Sequence, residues 1–158
     1  MMTVDVQFAC EDAGVPGKDD IQSWVELAAS ESGRLADQQV EFAVRVVGEA
    51  EIQTLNQLYR NKDSATNVLS FSTGAIAGLP DDAVRQIGDI VVCASVVRDE
   101  ALRQGKSLAD HWAHMLVHGT LHLLGYDHAQ DTEAEEMEQL EIAILGSRGI
   151  ANPYARPA

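Results

Sequence analysis

His118-Gly-Thr-Leu-His122-Leu-Leu-Gly125-Tyr-Asp-His128 is the stretch on which the reading of the chain turns. All five histidines of the protein fall between His111 and His128, and three of them keep a metal-ligand spacing. His118 and His122 are i and i+4, so on a helix they leave the same face one turn apart, about 6 Å along the axis. Two imidazoles so placed can share one ion. Gly125 stands where a left-handed residue ends a helix, and the turn through Tyr126 and Asp127 can bring His128 back onto the same face. Three nitrogens leave one position of a tetrahedral zinc open, which is the arrangement of catalytic rather than structural sites. The expected ligand set is therefore His118, His122 and His128, holding one zinc ion per chain. A helix with solvated or core-satisfied histidines is the plainer alternative, and it accounts for one or two of them but not for three in register with a glycine at the turn.

The pattern HxxxHxxGxxH is also the spacing of the metzincin peptidases, whose motif carries Glu directly after the first His as general base. Here that position is Gly119. Glycine can neither take a proton from a water molecule nor hand one to a leaving amine. The metal reading is untouched by this, but the peptidase reading loses its central group, and the chemistry expected is a different hydrolysis.

HGTLHLLGYDH resembles the signature of the YbeY family, the rRNA-maturation endoribonucleases of bacteria. Leu55-Asn-Gln-Leu-Tyr-Arg60-Asn-Lys62-Asp63, then Thr66-Asn-Val-Leu-Ser-Phe71, then Gly88-Asp-Ile-Val-Val, resemble further family blocks, so the similarity runs in order from about Glu49 to Leu145. The resemblance implies a single α+β domain with one catalytic zinc and a single-stranded RNA substrate. It also implies a role in maturing the 3′ end of small-subunit rRNA and in ribosome quality control, with the ribosome or its small subunit and associated proteins as partners. The arginine corresponding to Arg60 is functional in the family. The chain departs from the usual family pattern Pro-Thr-Asp-Val-Leu-Ser-Phe-Pro at Ala65, Asn67 and Ser72.

At 158 residues and 46% hydrophobic composition the chain fits one domain with one core. The expectation is a hydrolase domain over residues 1–146 and a poorly ordered tail over 147–158, where Gly and Pro occur without periodicity. The first residues contain no basic region followed by an apolar run, and no stretch approaches the roughly 18 apolar residues of a membrane span. A soluble, cytoplasmic protein without a membrane partner is expected. Cys10 and Cys93 lack any CxxC spacing, which points to a reducing compartment and to small buried roles. The formal charge of −14 argues against nonspecific nucleic-acid binding, because affinity for a phosphate backbone comes mostly from Lys and Arg. Much of the acid, however, is concentrated between Asp131 and Glu141, while Arg60 and Lys62 lie close together. A local positive cleft on an acidic body is compatible with this, binding RNA weakly until a ribosome presents the strand.

Along the chain, Val4, Val6 and Phe8 alternate as in a half-buried strand. Asp19 or Asp20 can cap a helix with an apolar stripe at Ile21, Trp24, Val25 and Ala28, ending near Gly33. Gln39 to Val47 alternates again, and Glu49 to Arg60 reads as a helix that delivers Arg60 to its end. Val68 to Phe71 is a short strand, Gly74 to Asp82 a loop, and Gly88 to Cys93 an apolar run expected at the centre of the sheet. Ser95 can cap the next helix, which Gly105 ends. Ser107 then opens the histidine helix with Asp110 as capping-box partner. Leu108, Trp112, Met115, Leu116 and Leu123 share one face of it and Val117, Leu121 and Leu124 cover much of the rest, so that helix must be buried. Thr132 with Glu135 suggests a last capping box, and the carboxylates of that helix read as a solvated face. The fold expected is α+β, with about four strands packed with about five helices and the zinc site on a buried central helix.

A zinc on three histidines can activate water without a carboxylate base. Charge developing on a phosphodiester would need a second group, for which a guanidinium is suited, and Arg60 is the candidate for catalysis and substrate contact beside His118. Lys62 and His114 are further candidates for substrate contact. As a ligand His114 is disfavoured, since it lies about 12 Å along the axis from His122; supporting a ligand is its other role. Asp127 can orient an imidazole or simply serve the turn. Both zinc-bound hydroxide and a ribose 2′-hydroxyl are compatible nucleophiles. Three function classes follow: a metal-dependent endoribonuclease, a metallopeptidase with its base recruited from Asp127 or the acidic last helix, and a noncatalytic ribosome-assembly module stapled by zinc.

Overall fold

The computed structural model describes residues 2–35, 38–73, 84–126 and 131–155. Among the described residues four strands form one mixed sheet: β1 (Met2–Phe8), β2 (Val40–Val47), β3 (Val68–Ser72) and β4 (Arg85–Cys93), in the order β1-β2-β4-β3. β1, β2 and β4 run parallel and β3 pairs antiparallel to β4. The described residues also form five helices: α1 (Lys18–Ser32), α2 (Glu49–Arg60), α3 (Ala94–Gln104), α4 (Leu108–Leu123) and α5 (Asp131–Gly146). The α+β architecture is that expected. The loop expected over 74–82 falls outside the described residues.

Alternation in the strands sorts the sheet into two faces. Val44, Val46, Ile90 and Val92 point to the side where α1 and α4 lie, and they meet Ile21, Val25, Trp112 and Leu116 in the main core. Val47, Val91, Cys93 and Leu69 point the other way and are covered by Ile52 and Leu55 of α2. β4 therefore buries both faces, which explains its almost unbroken apolar run. The second side of α4 carries Ala113, Val117 and Leu121 against Ala28 of α1 and Met137, Ile144 and Leu145 of α5. Eleven of the 16 residues of α4 are buried. No described helix is long and apolar enough to cross a membrane.

The helix ends separate good local signals from weak ones. Ser107 caps α4 by accepting the Asp110 N–H at 3.1 Å, and Gly33 and Gly105 end α1 and α3 in the left-handed region, all as the residue types require. The caps expected at Asp19 or Asp20 and at Ser95 are not formed. Gly17 precedes α1 and both aspartates lie within its first turn. β4 runs straight into α3 through Cys93, and the Ser95 hydroxyl donates to Glu49 instead. Thr132 likewise lies inside the first turn of α5.

The approach of α4 to the sheet depends on Gly88. Between Glu41 and Phe42 the pairing of β2 with β4 shifts so that Gln86 and Gly88 are their partners and Ile87 is the extra residue of a bulge. Gly88 has φ 153°, and a Cβ there would fall on the Phe71 carbonyl oxygen and 2.9 Å from Leu123 Cδ2. Only glycine lets β3, β4 and the end of α4 come together at this point. Gly88→Ala is accordingly expected to destabilise the protein by about 2 kcal/mol or more; a denaturant melt indistinguishable from the wild type would show that the bulge tolerates a side chain.

Candidate metal and nucleic-acid site

Four histidines form a stripe along α4 at 111, 114, 118 and 122, with successive ring centroids 6.2, 6.2 and 6.4 Å apart. The last two rings, His118 and His122, are parallel to within 5°. This is the i, i+4 pair that the sequence places on one face. After it the helix closes at Leu124, the Gly125 N–H donates to the His122 carbonyl, and Gly125 takes φ 97°, the left-handed turn expected there. His128 and Asp127, the expected third ligand and its neighbour, lie outside the described residues.

Arg34, just beyond α1, fixes this turn. Its Nη1 donates to the Leu124 carbonyl at 2.8 Å, and its guanidinium carbon stands 3.6 Å over the ring of the buried Tyr126. A cation at the carboxyl end of a helix is favourable, and stacking on tyrosine adds to it. Nothing in the local sequence links residues 34 and 124.

The largest correction concerns α5. Its carboxylates were expected on a solvated face, yet Glu141 is fully buried. Its Oε2 lies 2.8 Å from His114 Nε2 and 3.3 Å from His118 Nδ1, and its Oε1 accepts the Tyr154 hydroxyl at 2.8 Å. Burial pushes the Glu141 carboxyl up, but hydrogen bonds from His114 and His118 outweigh it and hold it at about 2. The phenol of Tyr154 is pushed up, by burial first and then by the Glu141 carboxylate. Residues 147–155, for which poor order was expected, thus reach the histidine stripe, and the Pro153 carbonyl also accepts from Lys106 Nζ at 3.0 Å. Their side chains supply what the lack of periodicity hides.

Among the described residues, the group of His, Cys, Asp or Glu able to hold a metal is His114, His118 and Glu141, whose ligand atoms lie within 4.8 Å of one another. His118 thus stands between two donor sets. On its Nδ1 side are Glu141 and His114, and on the same helix face one turn on is His122.

His111 belongs to a separate pair. Its Nε2 lies 3.0 Å from Glu100 Oε1, and burial lowers its pKa despite the opposing pull of that carboxylate. Asn67, one of the departures from the usual family pattern, donates to both oxygens of Glu100 at 3.1 and 3.3 Å while accepting the Val68 N–H at 2.7 Å. An aspartate in its place could not donate when ionised. Ala65 packs in the core under α2, and Ser72 ends β3 exposed.

Arg60 ends α2, and Asn61 after it turns left-handed with φ 58°. The Arg60 Nη2 donates to the Ser70 carbonyl at 3.1 Å, and Ser70 Oγ donates to the Gly119 carbonyl at 3.0 Å. The guanidinium is therefore tied through one strand residue to the backbone next to His118. Lys62 is exposed two residues further on, and its own side chain is not tied into this chain of bonds.

A family model described as Endoribonuclease YbeY matches residues 7–149. The chain belongs to the YbeY family. The endoribonuclease YbeY of Xanthomonas axonopodis pv. citri is 52% identical over 155 residues, covering 98% of this chain and 94% of the relative. That of Pseudomonas putida is 50% identical over 157 residues, with 98% and 94% covered. The solution structure of a Thermotoga maritima protein aligns with a TM-score of 0.55 at 23% identity, covering 96% of this chain and 99% of that one, which speaks for the fold. The YbeY match includes Arg60, the histidine stripe and Glu141, and Tyr154 lies beyond it.

Gly119 explains why the YbeY-like motif lacks the peptidase glutamate. A Cβ at 119 would stand 2.8 Å from Ile90 Cγ2, 3.3 Å from Val68 Cγ2 and 3.4 Å from Ser70 Oγ. The position faces the sheet, so a longer side chain has no route to a metal. Gly119→Ala gains helix propensity worth about 1 kcal/mol, but overpacking against the Ile90 and Val68 methyls costs about 1–3 kcal/mol. A lower melting temperature is expected, and Gly119→Glu should not fold stably; an alanine variant as stable as the wild type would refute the close approach.

Proposed function

We propose that the chain is a zinc-dependent endoribonuclease that cleaves single-stranded rRNA during maturation of the small ribosomal subunit, working in the cytoplasm on the ribosome or its precursors. The observation that carries this reading is the parallel His118 and His122 pair on a helix whose residue 119 is closed to a carboxylate base, in a chain of the YbeY family. The donor set suits zinc: imidazole nitrogens one turn apart, with His128 as the third ligand and a carboxylate already against His118 Nδ1. When bound, zinc supplies Lewis acidity and lowers the pKa of water toward about 7. His118 and His122 present their nitrogens from a helix that the core holds fixed. Arg60, anchored by one N–H on Ser70, keeps further donors of its planar fork for the scissile phosphate. Lys62 extends the contact with the strand, and His114 backs Glu141. Glu141, buried on the far side of the His118 ring, orients and does not exchange protons with substrate. The acidic surface elsewhere favours delivery of the strand by the ribosome over binding of free RNA.

His118→Ala, His122→Ala and His128→Ala are each expected to lose most of the bound zinc, while His111→Ala and His114→Ala retain it. Metal analysis of purified variants decides this, and stoichiometric zinc in His128→Ala would sink the proposed triad. The zinc-loaded protein should cleave labelled single-stranded RNA in a chelator-sensitive way and leave duplex RNA and casein intact; casein cleavage would favour a peptidase, and no cleavage an assembly factor.

Arg60→Ala should keep fold and zinc but slow single-turnover cleavage on the order of a hundredfold, the scale of losing one transition-state donor. Arg60→Lys should recover only part of that rate, because an ammonium lacks the paired donors of the fork. Full activity in zinc-loaded Arg60→Ala would remove Arg60 from the mechanism.

A further inference from the structure

The Glu141 carboxylate is fully buried, yet no Lys or Arg side chain pairs with it among its described contacts. A charge so placed is tolerable only when its oxygens are saturated with donors. The donors here come from three separate places in the chain: the Tyr154 hydroxyl on Oε1, and His114 Nε2 and His118 Nδ1 on Oε2. All three contacts are satisfied together when the carboxylate accepts and each of these atoms carries its hydrogen toward it. For His118 this fixes the tautomer. With Nδ1 protonated, the lone pair of the neutral ring is on Nε2, on the opposite side from Glu141. A ligating histidine whose other nitrogen donates to a carboxylate is held in orientation and is made more basic.

Resting on the zinc reading above, we infer that Glu141 is the positioning residue for His118, and that Tyr154, carried on the segment after α5, is the clamp that keeps Glu141 in place. His114 is the second support of the same carboxylate. Its Nε2 is committed to Glu141, and its Nδ1 is buried without a hydrogen-bond partner among the described residues. An ion shared with His122, two turns along α4, is out of its reach, which assigns it to support and not to ligation of that ion. Tyr154 thereby joins the support of the metal site without itself being a ligand in this reading.

The test uses the full-length zinc protein, with zinc affinity measured by chelator competition and the His118 imidazole followed by long-range proton–nitrogen correlation spectra. Glu141→Gln is expected to weaken zinc about 10–100-fold, the range for loss of a partner behind a ligand, and to change the His118 nitrogen pattern. Tyr154→Phe removes one hydroxyl and keeps the ring against His114, so it should fold even if Glu141→Gln does not, with a smaller loss of affinity and the same direction of change at His118. Wild-type affinity together with an unaltered His118 spectrum in Tyr154→Phe and in any folded Glu141→Gln would overturn the inference while leaving the zinc reading intact. Zinc retained by both His118→Ala and His122→Ala would instead overturn the zinc reading itself. Zinc lost in His114→Ala and Glu141→Gln but kept in His122→Ala would place the ion directly among His114, His118 and Glu141, and would also overturn the positioning role.

Discussion

Everything in this domain depends on how closely α4 lies on the sheet. At Gly119 the backbone comes within reach of Ile90, Val68 and Ser70, and the Ser70 hydroxyl bonds to the Gly119 carbonyl. That contact sets the rotation of α4 about its axis. With Trp112 and Leu116 turned into the main core and Val117 and Leu121 turned toward α1 and α5, the histidine stripe has one direction left in which to point. The absence of a side chain at 119 is thus a packing requirement as much as a chemical difference from peptidases.

The same contact links the two halves of the site. β3 carries Ser70, whose hydroxyl reaches α4 and whose carbonyl takes a hydrogen bond from Arg60 at the end of α2. α2 covers one face of the sheet and α4 the other, and Arg60 at the end of α2 and Gly119 of α4 both bond to Ser70 of the edge strand β3. A rigid short strand is a more accurate spacer than a loop, as the proposed joint action of Arg60 and the histidines on one phosphate would require.

Features that depend on near neighbours were legible in the sequence. α2 begins at Glu49 and ends at Arg60 as its apolar spacing indicates, and Ser107 caps α4 through Asp110 as a hydroxyl at that position should. Caps failed where a competing partner stood elsewhere in the chain, as for Ser95, whose hydroxyl goes to Glu49. Glu141 was hidden for the opposite reason: it stands in a run of carboxylates that are otherwise solvent-facing. Its burial comes from His114 and His118, 27 and 23 residues away, and from Tyr154, 13 residues on. Only the i+4 relation of Met137 and Glu141 on the buried side of α5 hinted at it. Arg34, over Tyr126 and 90 residues from the carbonyl it caps, has no local signature at all.

The burial of α4 has a consequence for how the protein responds to loss of an ion. Small zinc domains unfold without metal because the ion replaces a core they do not have. Here the helix that carries the histidines is enclosed by apolar contacts on two sides, and its amide hydrogens are expected to exchange with solvent only when the whole domain opens. Ligands displayed from such a helix are ordered in advance, so little conformational entropy is left to lose on capture of the ion. On the zinc reading proposed above, the free energy of binding would appear as affinity and not as folding, and the metal could leave and return without the chain having to find its fold again.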